Sequence, residues 1–193
     1  MNYKLELRIK WGFTLNEISY REIEEKEISP TLFTSFNRYQ DVKKCWRKEN
    51  GKWILKDMVF TEQWGSKEFI YLAKCLKNTI YQGGVVIGAF QNGNLVGFAS
   101  IENYLFGKNK EYLQLSSIHI SFGNRGCGMG KKLFCLICEK AKKLGAKKLY
   151  ISAHSSEETQ AFYNAIGCVE AKEYNNKLVA EEPYDCQLEY CLL

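Results

Sequence analysis

The segment Arg125-Gly126-Cys127-Gly128-Met129-Gly130 constrains this chain more than any other. It lies between an apolar, strand-like run at residues 113–120 and an amphipathic, helix-like run at 131–144. A strand, a glycine-rich turn and a helix N-terminus together make an anion site. The glycines let backbone N–H groups approach a phosphate closely, and the helix dipole favours negative charge there. Two common phosphate loops fail on spacing. A P-loop needs Gly, four residues, then Gly-Lys-Ser/Thr, but Gly130-Lys131 is followed by Lys132, and Arg125 stands where the first glycine should be. The dinucleotide fingerprint Gly-x-Gly-x-x-Gly, begun at Gly126, ends on Lys131. What fits is Arg-x-x-Gly-x-Gly at the end of a strand.

The flanking pattern reads as alternating strands and helices. Residues 3–10 alternate apolar and charged and predict a half-buried strand. Thr14 or Asn16 is placed to cap a helix running to about Lys26, with Leu15, Ile18 and Ile23 as its apolar side. Ser29-Pro30 opens a short helix over about 31–38. Residues 43–57 predict a hairpin turning at Glu49-Asn50-Gly51, and 61–78 a helix carrying Trp64, Phe69, Leu72, Ala73 and Leu76. Strands follow at 85–90 and 95–101, around the turn signal Gln91-Asn92-Gly93-Asn94, and then at 112–120. The helix after the glycine loop presents Leu133, Leu136, Ile137, Ala141 and Leu144 on one face, with Gly145 as its C-cap. A strand at 149–153, a helix at 157–166 capped by Ser156, and strands at 169–174 and 186–192 complete the series. This order predicts a mixed α/β sheet with helices on its faces.

Composition narrows the function classes. At 193 residues, 46% apolar and 14% aromatic, residues 1–193 form one domain with a sizeable core. No run of about 18 uncharged apolar residues offers a membrane span, and no signal-peptide core follows Met1. A cytoplasmic setting is therefore expected, with the eight Cys as reduced thiols. Cys135-Leu136-Ile137-Cys138 falls inside a helical pattern and has no second pair, so no metal is expected. The net charge of +5 suits an anionic cofactor. It does not mark a nucleic-acid binder, because no basic run is interleaved with aromatics.

The loop resembles the coenzyme A pyrophosphate loop of the GNAT N-acetyltransferase family. A second segment, Ala161-Phe162-Tyr163-Asn164-Ala165-Ile166-Gly167-Cys168, resembles that family's Phe-Tyr-x-x-x-Gly-Phe motif, with Cys168 in place of the usual aromatic. The strand order is also close to the GNAT fold over nearly the whole chain, and the 43–57 hairpin is the main departure. The resemblance implies acetyl-CoA as cosubstrate. Its pyrophosphate would lie on Arg125, Gly126, Cys127, Gly128, Met129, Gly130 and Lys131, with Ser156 also at the cofactor. Its pantetheine arm would pair with the strand edge at Ile118, His119 and Ile120. Tyr163 would donate a proton near the coenzyme sulfur.

The resemblance does not supply a general base. Gln114 and Ser116 occupy the positions where several members of the family carry Glu or His, and neither side chain is basic at neutral pH. His119, His154, Glu62, Glu102 and solvent-connected water stay open as proton acceptors. The aromatics at 33–64 are placed either to hold an amine cation or to pack the hairpin onto the domain. Cys127 has no neighbouring base in the sequence, which favours direct attack by an amine over an acyl-Cys route. The acceptor is a small-molecule or peptide amine of unspecified kind. Neither nucleic acid nor membrane is an expected partner, and a homodimer is allowed. The alternative is a catalytically silent domain that senses acyl-CoA or binds a partner.

Overall fold

The computed structural model describes residues 17–192, so the strand expected at 3–10 lies outside the described residues. Seven strands form one sheet: β1 (Ile18–Glu22), β4 (Val85–Gln91), β5 (Asn94–Ile101), β6 (Tyr112–Ile120), β7 (Lys148–Ala153), β8 (Val169–Glu170) and β9 (Cys186–Cys191). Their order across the sheet is β1-β4-β5-β6-β7-β9-β8. Only the β6–β7 pair is parallel; the other pairs are antiparallel. The strands β2 (Tyr39–Glu49) and β3 (Lys52–Gln63) make a separate two-stranded hairpin. The helices are α1 (Ser66–Tyr81), α2 (Met129–Lys143), α3 (Glu157–Ala165) and α4 (Asn176–Glu181).

Period-two alternation places a helix on each face of the sheet. On β4, Ile87 and Ala89 pack into a core built around Leu133, Phe134 and Ile137 of α2, whereas Val86 and Phe90 pack with Leu72 and Leu76 of α1. Side chains with opposite parity thus serve two cores, and the strands between them read as nearly unbroken apolar runs. Phe33, Phe36, Phe69 and Phe98 stack edge and face within the α1 core. No helix among the described residues is long and apolar enough to cross a membrane.

β6 and β7 pair only at their first residues, Tyr112–Gln114 with Lys148–Tyr150. Beyond Gln114 no ladder joins them, so the β7-facing edge of residues 115–120 has no strand partner. On its other edge β6 stays paired with β5 to Ile120, with a bulge at Ser116 where Ser100 faces Ser117 but Ile101 faces Leu115. The extra residue reverses the alternation: Leu113 and Leu115 face the α2 core before it, Ile118 and Ile120 after it. His119 therefore shares a face with Gln114, against the regular-strand expectation that the two point apart.

Residues 37–47 tie the two sides of this gap together. The Phe122 N–H donates to Asn37 O at 2.8 Å, just beyond the end of β6. Across the gap, Gln40 Nε2 donates to Ser156 Oγ at 3.0 Å, Trp46 N–H to Ser155 O at 2.8 Å, and Arg47 Nη1 to Ser155 Oγ at 2.6 Å. The hairpin is longer than the expected 43–57, because residues 39–42 and 60–63 continue its ladder.

Other expectations are corrected by tertiary pairing. In place of the helix ending near Lys26, the described residues form β1 and a 3-10 turn at Glu25–Glu27; β1 covers the open edge of β4, pairing Ile18 with Gln91 and Tyr20 with Ala89. The helix expected at 31–38 is a 3-10 turn, Pro30–Phe33, since Tyr39 already belongs to β2. The helix expected from residue 61 begins at Ser66, after Gly65, whose N–H donates to Glu68 Oε2 at 2.7 Å. The strand expected at 169–174 stops at Glu170, and α4 follows, capped by Asn175 Oδ1 on the N–H groups of Lys177 and Leu178.

α2 lies close on β5 because Gly97 has no side chain. A Cβ there would come within 2.8 Å of Ile120 Cδ1, 3.0 Å of Met129 Sδ and 3.2 Å of Leu133 Cδ1. Gly97→Val should lower stability by about 1–3 kcal/mol through overpacking, read as a lower urea midpoint.

Candidate active site

The glycine loop at 125–130 is held open by backbone geometry. Gly126 and Gly128 have φ of +78° and +80°, which L side chains rarely adopt, and a Cβ on either would meet nothing within 4 Å. Their Cα atoms therefore face free space at the N-terminus of α2, where Gly128 is the N-cap. The first helical hydrogen bond is Lys132 N–H to Gly128 O, leaving the preceding first-turn amides without intrahelical acceptors. Gly130 is small for another reason. A Cβ there would lie 3.1 Å from Phe162 Cε2, so the two sequence motifs meet in van der Waals contact.

Arg125 turns its side chain inward. Nε donates to Ile120 O at 3.2 Å and Nη2 to Tyr39 O at 2.7 Å, bracing the loop against β6 and β2. Cys127 is exposed, with its thiol on Asn124 O. Two of the expected cofactor residues, Cys127 and Ser156, do not line the cavity described next. Ser156 is buried, and its hydroxyl is occupied by Gln40, Thr159 Oγ1 and the Thr159 N–H, as a helix cap and an anchor for β2.

A cavity of about 770 Å³ runs from the loop into the gap between β6 and β7. Ile118, His119, Ile120, Gly126, Gly128, Met129, Gly130 and Lys131 line one end. Arg38, Glu62, Trp64, His154, Glu158, Tyr163, Glu182 and Asp185 also line it, although they come from distant parts of the chain. Tyr163 is 5% exposed, and its hydroxyl has no hydrogen-bond partner among the described residues. Burial pushes its pKa far up, so the phenol keeps its proton.

Neither histidine is a free base. His119 is packed between Trp64 and Phe98, and its Nδ1 accepts from Arg38 Nε at 3.2 Å. Burial first, then the Arg38 and Arg125 charges, bring its pKa down to about 3. The neutral ring carries its proton on Nε2. His154 Nδ1 accepts the Ser156 N–H at 3.2 Å, and Nε2 faces Glu62 Oε1 at 3.5 Å. Burial lowers its pKa, and the Glu62 charge works the other way. Glu102 accepts from Thr79 Oγ1 at 2.8 Å and does not line the cavity.

Asp185, which sequence reasoning missed, stands apart. It precedes β9 and accepts from Ser152 Oγ at 3.2 Å. Its pKa is raised to about 6, mainly by burial, with Glu182 and Glu62 adding repulsion and Ser152 and Arg47 opposing. Its charge also reaches Tyr163, where it contributes to the raised phenol pKa. Of the aromatics at 33–64, only Trp64 lines the cavity. Phe33 and Phe36 are core residues, and Trp46 and Trp53 pack partly buried against the α2 core, so for these four packing is the role observed.

The family model described as Acetyltransferase (GNAT) family matches residues 38–180, and the chain belongs to that family. No curated protein matches the sequence. Among solved structures, a nourseothricin acetyltransferase is 13% identical at a TM-score of 0.66, covering 91% of this chain and 99% of its own. An acetyltransferase from Bacillus anthracis in complex with acetyl coenzyme A is 15% identical, also at 0.66, covering 90% and 96%. A GNAT acetyltransferase from Staphylococcus aureus is 19% identical at 0.58, covering 92% and 100%. These likenesses show the mixed α/β GNAT fold.

Gly128→Asp should abolish coenzyme A binding measured by calorimetry, since it puts a negative charge where the phosphate would sit. Gly128→Ala carries the same positive-φ strain without the charge and should bind measurably, which separates the two causes.

Proposed function

We propose that the protein transfers the acetyl group of acetyl-CoA to a primary amine by direct attack. The observation that carries this reading is the cavity itself. It joins an amide-lined phosphate loop, an unpaired strand edge, an unpartnered tyrosine hydroxyl and four carboxylates, those of Glu62, Glu158, Glu182 and Asp185. The pyrophosphate lies on the 126–131 amides and Lys131. The pantetheine amides pair with β6 at 118–120, as a peptide strand would. The thioester then reaches the gap beside Tyr163.

An amine arrives as ammonium and must lose a proton before it attacks. Asp185 fits the role of acceptor, being a partly buried carboxylate with its pKa raised towards neutrality. The nitrogen lone pair forms the N–C bond, the nitrogen releases its second proton to solvent, and the tetrahedral intermediate collapses to the neutral amide with cleavage of the C–S bond. The departing thiolate takes the Tyr163 proton, and solvent carries the Asp185 proton back to the phenolate. Cys127 faces away on the loop, with its thiol on Asn124 O, which supports direct transfer over an acyl-Cys route. The retained phenol and carboxylates favour catalysis over a silent sensor.

Mass spectrometry of an amine panel incubated with protein and acetyl-CoA tests this reading. A product heavier by about 42 Da, the mass of an added acetyl group, is expected. Absence of product from every amine, with coenzyme A bound, would turn the reading towards sensing. Tyr163→Phe should bind coenzyme A normally and lower kcat by about 10- to 1000-fold. For Asp185 the ionised form is the active one, so kcat/KM should fall as pH drops below about 6. Asp185→Asn should lower the rate and remove that acid limb; an unchanged limb would assign the proton to another group.

A further inference from the structure

Arg38 carries an unused hydrogen-bond donor. The residue is 7% exposed and forms part of the cavity wall. Nε donates to His119 Nδ1 at 3.2 Å and Nη2 to Glu62 Oε2 at 3.2 Å. Nη1 has no partner, the one buried side-chain nitrogen or oxygen so left among the described residues. A guanidinium N–H removed from water without an acceptor is costly, so such groups seldom go unused. The Trp64 ring lies 5.2 Å from the guanidinium carbon, which restricts the fork and fixes the direction of the free N–H groups.

The groups already engaged around Arg38 point to the missing partner. Glu62 is shared, since its other oxygen faces His154 Nε2 at 3.5 Å. Arg125 is near enough for its charge to act on Arg38, and both hydrogen bonds of Arg125 go to neutral carbonyls. The Glu62 and Glu158 charges also act on Arg38, but only Glu62 is hydrogen-bonded to it, so Nη1 keeps no acceptor and an anion that reaches it is favoured. Asp185, Glu158 and Glu182 line the same cavity and suit an ammonium group.

We propose that Arg38 binds the carboxylate of the acceptor, so that the substrate is a free amino acid. The proposal rests on the amine-transfer reading above and narrows it. A polyamine, which brings only positive charge, leaves Nη1 unpaired and places a cation beside two arginines. An amino acid satisfies Nη1 with a charge-assisted, directional bond and leaves its amine for the carboxylates.

The test compares matched pairs on the unaltered protein: lysine against cadaverine, and a series of amino acids against their carboxamides. An amino acid should exceed its carboxylate-free partner by about 10- to 100-fold in kcat/KM, mostly through KM, the range expected for losing one charged hydrogen bond. Arg38→Gln should bring the members of a pair to within a few-fold of each other. Equal rates for both members in the unaltered protein would overturn the proposal. So would an Arg38→Gln that lowers kcat equally for both, which would assign Arg38 to the reacting carbonyl. If no amine is acetylated, the transfer reading fails separately. Calorimetry with amino acids on the coenzyme A-loaded protein then decides: binding lost in Arg38→Gln upholds the anion site, and no binding overturns it. The pair comparison needs no variant, so a misfolded Arg38→Gln would not blunt it.

Discussion

The structure depends on where β6 and β7 stop pairing. Three residues of each strand share a ladder, and then β6 follows β5 while β7 follows β9. Each strand keeps one full antiparallel partner, so the separation sacrifices only the ladder between the two. The backbone groups on that edge of β6 face the cavity without a strand partner. The gap stays open because its sides are held by other means: α2 and its glycine N-cap at one end, the α3 cap at Ser156 across it, and residues 37–47 tying them together.

This arrangement explains why the functional groups come from separate parts of the chain. Glu62 is on β3, His154 follows β7, Tyr163 is on α3, Asp185 precedes β9 and Arg38 precedes β2. The hairpin, which departs from the sequence resemblance, contributes packing through Trp46 and Trp53 and places Glu62, at its end, on the cavity wall. Within the cavity, burial sets the protonation states. It keeps Tyr163 protonated and His119 neutral, and it raises Asp185 towards the range where a carboxylate is an effective base.

Local pattern was readable where one segment supplies its own partners. The hairpin turns at Asn50-Gly51 and Asn92-Gly93 have the positive φ that their sequences imply. The strand at 112–120 and the helix after Gly128 fall where periodicity puts them. The errors have a common cause. Residues 18–22 have spacing that suits a helix, but the open edge of β4 takes them as a strand. The strand expected at 169–174 gives way after Glu170, and Asn175 caps the helix that follows. Ser156 is the cap that its sequence implies, with its side chain accepting from the Thr159 N–H.

The sequence by itself determined the glycine loop, its helix, the Phe162-Tyr163 segment and the mixed α/β order, because each depends on neighbours within a few positions. Only the tertiary structure decided the bulge at Ser116, the inward turn of Arg125, the neutral histidines and the cavity that gathers Arg38, Glu62 and Asp185. Those features follow from burial and from charges brought together across long separations. A side chain's pKa and its missing hydrogen-bond partners are set by what surrounds it in space, and no short-range pattern in the sequence encodes that.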